Sequence, residues 1–96
     1  MMNFSQEISI SPDVVFQEIE GESVLLHLED ARYFGLDDVG TRVWQLIVEH
    51  GDLNTVFEQM LNEYDVTPDR LRADIEKLAR ELADKGLLVL QASHPA

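Results

Sequence analysis

Three histidines and nineteen carboxylates are the side chains best equipped for chemistry in this chain, which has no cysteine. Without cysteine there are no disulfides, thiolate metal sites, iron–sulfur ligands or thiol nucleophiles. His27 falls in a strand-like stretch, His50 at a helix end and His94 in the tail. No two histidines have the i, i+4 or short-loop spacing of a metal site, so neither a metal nor a cofactor is expected. Glu18, Glu20, Glu22, Glu29, Asp30, Asp37 and Asp38 gather near turns. A pair of carboxylates can run acid–base chemistry across a pocket, but these positions read as solvated turn residues and helix caps. The five glycines are scattered, so no phosphate loop forms, and no nucleophile elbow appears. These observations point to a binding protein and not an enzyme.

Charge narrows the partner. Seven Lys/Arg against nineteen Asp/Glu leave a formal charge of −12 in 96 residues. Such a surface repels phosphate backbones and gains nothing from counterion release, which favours a peptide or protein partner over nucleic acid. No apolar run reaches the roughly 20 residues of a membrane span, and the N-terminus lacks a basic start and an apolar core. The expected compartment is the cytosol, with no membrane partner.

The elements that must position a binding site follow from periodicity. Residues 1–13 read as an N-terminal arm ending in Ser11-Pro12-Asp13, in which Ile8 and Ile10 alternate with serines and would extend the first strand. Residues 14–19, 23–28 and 31–36 are β-branched or aromatic runs separated by short polar turns, which predicts an antiparallel three-stranded meander. Three helices follow. The first is capped by Asp37 or Asp38 and stopped by His50-Gly51. The second is capped by Asp52 or Asn54, with a stripe of Leu53, Val56, Phe57, Met60, Leu61 and Tyr64. The third starts at Thr67-Pro68, carries Leu71, Ile75, Leu78 and Leu82, and ends at Gly86. Leu28, Val43, Leu46 and Leu78 are expected in the core. Trp44, the sole tryptophan, sits at the shoulder of the first helix's stripe. Leu87–Leu90 returns to the core, and residues 91–96 form a tail. The fold class is α+β, a winged-helix-like arrangement of a three-stranded antiparallel sheet followed by three helices, with one domain over residues 14–90.

The third predicted strand is unusual. Ala31-Arg32-Tyr33-Phe34-Gly35-Leu36 has one charge, two adjacent aromatics and an interior glycine, whereas exposed edge strands are normally blunted by charges, proline or bulges. Its unpaired row of N–H and C=O groups is covered by a helix, by the arm or by a second copy, or is left for a guest strand. Tyr33 and Phe34 point to opposite faces, so one of them flanks whatever docks. Beside it, one flank of the third helix's stripe carries Asp69, Arg72, Glu76, Ala79 and Ala83; the other carries Asp74, Glu81 and Lys85. On the first flank small alanines permit close approach, and Arg72 and Glu76 can orient a guest.

The run "VVFQEIEGESVLLHLEDARYFGLDDVGTRVWQLI" followed by "YDVTPDRLRADIEKLARELADKGLL" resembles the PqqD-like family, the precursor-recognition elements of ribosomally made, modified peptides. The resemblance spans residues 14–90 and is strongest in "LEDARYFGLDDVGTRVW", "YDVTPDRLRADI" and "DKGLL". It implies a non-catalytic adaptor that takes up the leader segment of a precursor peptide as an added strand and presents it to a leader peptidase or other modifying enzyme. The pattern is most similar to the stand-alone proteins of lasso peptide biosynthesis, with a pyrroloquinoline quinone peptide chaperone serving a radical SAM enzyme as the alternative. Arg32, Tyr33, Phe34, Gly35 and Leu36 would hold the peptide, Ile75 and Ala79 would line its cleft, and Asp69, Arg72 and Glu76 would make polar contacts. The protein would be a monomer or weak dimer. The rival from another class is a winged-helix DNA-binding regulator, but Arg70, Lys77 and Arg80 are diluted by Asp69, Asp74, Glu76 and Glu81 on the third helix.

Overall fold

In the computed structural model the described residues are Phe4 and residues 7–90. The chain runs β1 (Ile8–Ile10), β2 (Val14–Ile19), β3 (Glu22–His27), β4 (Arg32–Leu36), α1 (Asp38–His50), α2 (Leu53–Glu63), α3 (Pro68–Asp84) and β5 (Leu88–Leu90). The three-stranded antiparallel sheet has the order β2-β3-β4 and is followed by three helices, as the sequence predicts. Turn chemistry sets the ends of the strands. Glu20 and Gly21 take the left-handed conformation between β2 and β3, and Ala31 does so just before β4.

Two elements differ from expectation. Ile8 and Ile10 do not extend the first meander strand. They form β1, which pairs antiparallel with β5, Ile8 opposite Leu90 and Ile10 opposite Leu88. Periodicity places apolar residues on a face but cannot say which strand they will meet, and the partner here lies some eighty residues away. The Ser11-Pro12-Asp13 turn then leads into β2, with Leu28 N donating to Asp13 O at 2.8 Å. The tail beyond residue 90 lies outside the described residues, as does His94.

Register assigns the faces of the sheet. Phe16, Leu25 and Phe34 stand opposite one another, as do Glu18, Ser23 and Leu36, and these face the helices; Val15, Leu26 and Tyr33 face away. Leu25 is fully buried. Leu28, expected in the core, is 57% exposed. It falls on the outward phase of the Val24–Leu26 alternation, just past the end of β3.

Each helix begins where a carboxylate or proline allows. Asp37 accepts from Gly40 N and Asp52 from Thr55 N, both at 2.7 Å, satisfying amides that have no partner within the helix. Thr67 has the cap conformation without a side-chain cap bond, and Pro68 supplies the first turn. Gly51 ends α1 with φ 76°, its N–H bonded to Ile47 O. The core gathers Val43, Trp44, Leu46 and Ile47 of α1, Leu53, Val56 and Met60 of α2, and Leu71, Ile75, Ala79 and Leu82 of α3. Phe57, Leu61 and Tyr64 pack at its margin. Trp44 is buried and stacks on Phe16, with ring centroids 6.4 Å apart. In α3 the inward row passes through Ala79, so Leu78, about 100° further round the helix, is only half-buried. The expected roles of these two residues are exchanged.

Candidate functional site

β4 pairs with β3 alone, in register from Ser23–Leu36 to His27–Arg32. Among the described residues no backbone hydrogen bond is made from its other edge. Its C-terminal end is fixed from within. Thr41 Oγ1 lies 2.7 Å from Ser23 Oγ and donates weakly to Leu36 O at 3.5 Å, which ties β3, β4 and α1 at a buried point. Gly40 lets α1 start close to the strand, since a Cβ there would lie 3.2 Å from Leu36 Cδ2.

A groove of about 900 Å³ lies between β4 and α3. Phe34, Gly35 and Leu36 form one wall, and Asp74, Ile75, Leu78 and Glu81 the other. The α2–α3 connection, Tyr64 to Thr67, closes one end together with Arg70; the exposed Val39 also lines the groove, and the buried Val43 and Met60 lie at its base. The lining is mostly apolar. Lys85, near the far end, holds its Nζ 5.6 Å from the centroid of the Phe34 ring.

Of the residues expected to bind a guest, Phe34, Gly35, Leu36 and Ile75 come together in this groove. Arg32 lies on the same strand, opposite His27. Tyr33 projects from the other face of the sheet and is 73% exposed, so Phe34 is the aromatic on the groove side. A Cβ at Gly35 would touch nothing within 4 Å, so no intramolecular contact requires glycine there. Asp69, Arg72 and Glu76 are not brought to the groove. They lie on another face of α3 with Ala73, Lys77 and Arg80. There Arg72 is occupied within the fold, its guanidinium 4.1 Å from the centroid of Phe4, whose ring meets Phe57 edge-on. Ala79 is buried in the core. The flank beside β4 is the one carrying Asp74 and Glu81. The sequence reading chose the flank of Asp69, Arg72 and Glu76 for its small alanines and mixed charges, but the groove takes the other one; which flank meets β4 depends on how α3 is rotated against α2 and the sheet, and local sequence does not fix that rotation.

The wall formed by the α2–α3 connection is braced by polar contacts. Arg42 on α1 grips Glu63, the last residue of α2, with two hydrogen bonds of 2.7 Å, and Gln59 Nε2 donates to the same carboxylate at 3.0 Å. The hydrogen bonds from Arg42 and then Gln59 hold the Glu63 carboxyl down at about 2. Gln45 extends the chain of contacts, accepting from Arg42 and donating to Glu18 of β2 at 2.7 Å.

His27 is a buried residue at the end of β3, its Nδ1 without a hydrogen bond and 4.0 Å from Asp30. No cluster of three or more His, Asp or Glu suited to a metal occurs among the described residues. No helix among them is long and apolar enough to cross a membrane.

Comparisons with known proteins add to this geometry. A comparison with curated proteins gives no match. Two solved structures share the fold. One is TbiB1 in complex with the TbiA(beta) leader peptide, 37% identical, with a TM-score of 0.78 over 90% of this chain and 98% of that one. The other is a lasso peptide synthetase B1 complexed with the leader peptide, 22% identical, also with a TM-score of 0.78, over 86% and 98% of the two chains. The family described as Coenzyme PQQ synthesis protein D (PqqD) matches residues 22–88, from the start of β3 into β5 and across the whole groove. This chain is a member of the PqqD family.

Proposed function

We propose that this protein is a non-catalytic adaptor for lasso peptide biosynthesis. It takes the leader segment of a ribosomal precursor peptide as an added strand along β4, beside α3, and presents it to a leader peptidase or other modifying enzyme. The observation that carries this reading is the coincidence of an unpaired β4 edge with an apolar groove at the same place. Strand addition draws affinity from main-chain pairing and specificity from side-chain pockets, and this site offers both. The 37% identity to TbiB1, whose solved structure is in complex with a leader peptide and is matched over nearly its whole length, supports the choice of ligand.

The family description favours a second pathway, pyrroloquinoline quinone synthesis, in which the same groove would serve a different precursor. A DNA-binding role is disfavoured by the net charge of −12 and by the acids along α3.

The test is fluorescence anisotropy with labelled synthetic leader peptides from a lasso precursor and from a pyrroloquinoline quinone precursor. Micromolar affinity, about −8 kcal/mol, is expected for the lasso leader. Gly35→Pro, which removes a backbone donor from the open edge of β4 without touching the ladder to β3, should weaken capture at least about tenfold while the helical circular dichroism is kept. Undiminished capture by a folded Gly35→Pro protein would exclude the β4 edge as the receptor. Preference for the other leader would reassign the pathway.

A further inference from the structure

The charges along the groove wall follow a pattern that the apolar lining does not explain. Arg70, Asp74, Leu78 and Glu81 line the groove, and Lys85 follows one turn later. Their spacings of four, four, three and four residues put all five side chains on one face of α3. Read along the helix, the face runs basic, acidic, apolar, acidic, basic.

The two acids next to Leu78 are uncommitted. Elsewhere the acids near cations are paired: Glu76 with Arg80 at 3.1 Å and Glu63 with Arg42 at 2.7 Å. The carboxylates of Asp74 and Glu81 make no ion pair or hydrogen bond with any described residue. The basic residues flanking them do not neutralise them. Arg70 sits at the closed end with Asp65, and Lys85 lies against the Phe34 ring. Asp37, also in the lining, is spent on capping α1.

The spacing suits an extended guest. A strand presents a side chain to one face every two residues, about 6.6 Å apart, and a helix presents one every four residues, about 6 Å apart. A guest running beside α3 therefore meets the helical row nearly one for one.

Taking the strand-addition reading as given, we propose that the groove selects a cationic amphipathic segment: an aliphatic or aromatic side chain seated between Phe34 and Leu78, with Lys or Arg two positions to either side, answered by Asp74 and Glu81. The acids then discriminate among peptides that fill the same apolar cleft, a role distinct from the main-chain pairing along β4.

The experiment is selection of random 12-residue displayed peptides on the immobilised full chain, repeated on the Asp74→Lys/Glu81→Lys double variant and on Leu78→Arg. The parent should enrich peptides with Lys or Arg two positions from an apolar residue. The double variant should enrich Asp or Glu at those positions. In synthetic copies of the winners, each Lys→Gln change should weaken binding to the parent about fivefold at low salt, an effect in the range of a partly exposed ion pair and reduced at high salt. Asp74→Asn/Glu81→Gln, which keeps shape and removes charge, should abolish the preference without reversing it. Enriched peptides that share an apolar anchor but have no basic preference, or whose preference is unchanged by the charge swap, would overturn the inference while leaving the groove as the receptor. Peptides that bind the Leu78→Arg variant as well as the parent would instead overturn the groove reading itself.

Discussion

The sheet has two open edges, β2 and β4, and they are treated differently. Along β2 nearly every side chain is exposed, and its helix-facing Glu18 is engaged by Gln45, which links through Arg42 to Glu63. A charged side chain turned inward on an edge strand is a recognised defence against unwanted pairing. Asp13 and Glu20 bracket the same strand. β4 has no such defence: its only charge is Arg32 at its start, and its helix-facing Phe34 and Leu36 border the groove. The lesson is that an unpaired edge alone does not make a receptor. The difference lies in what stands beside the edge, and only β4 has a helix wall set back far enough to leave a cleft.

The most direct way to break this contrast is to fill the cleft with charge. Leu78→Arg places a cation where an apolar guest residue would sit, and because Leu78 is only half-buried the fold should survive. Leader affinity is expected to fall about a hundredfold, near 2.7 kcal/mol, by anisotropy. An equal drop from a matching charge beside β2 would erase the distinction between the edges.

A second change separates the wall from the core. Ala79 is fully packed, so Ala79→Leu should destabilise the protein by about 1–3 kcal/mol through overpacking, measured by urea denaturation. A stability cost with little direct loss of affinity at low temperature is the signature of a core position.

The brace between the edges is weaker. Glu63→Gln should lower stability by less than about 1 kcal/mol at neutral pH, as for other partly exposed pairs. The sign follows from the lowered carboxyl. The native state holds the ionised form more tightly than the unfolded chain does, so the contribution is complete above the ordinary carboxylate range. It is lost as pH falls toward about 2. Parent and variant should therefore converge in acid, as followed by thermal melts from pH 7 to 2.

The smallest effect is expected at Tyr33. Although it neighbours Phe34 in sequence, it points away from the helices, and Tyr33→Ser should change leader affinity by less than about twofold, within the usual range for exposed positions. A large loss would mean that the outer face takes part in capture.

Much of this was legible in the chain itself. The polar turns, a cap at Asp37 or Asp38 and at Asp52 or Asn54, the Pro68 start and the Gly51 stop are local signals; the structure honours each and takes Asp37 and Asp52 as the caps. The undefended sequence of residues 31–36 likewise singled out the strand that borders the groove. Three things were not legible: the pairing of Ile8–Ile10 with Leu88–Leu90, the exchange of Leu78 with Ala79, and the flank of α3 that meets the groove.

These share one physical reason. Local sequence determines where the backbone can turn, cap or extend, because the relevant contacts lie within a few residues. It also gives each helix an apolar stripe, but a stripe is about 100° wide, and one residue of rotation is also about 100°. Which member of the stripe points inward is therefore settled only when α3 packs against the other elements. That packing turned Ala79 into the core, Leu78 toward β4, and Asp74 and Glu81 to either side of it.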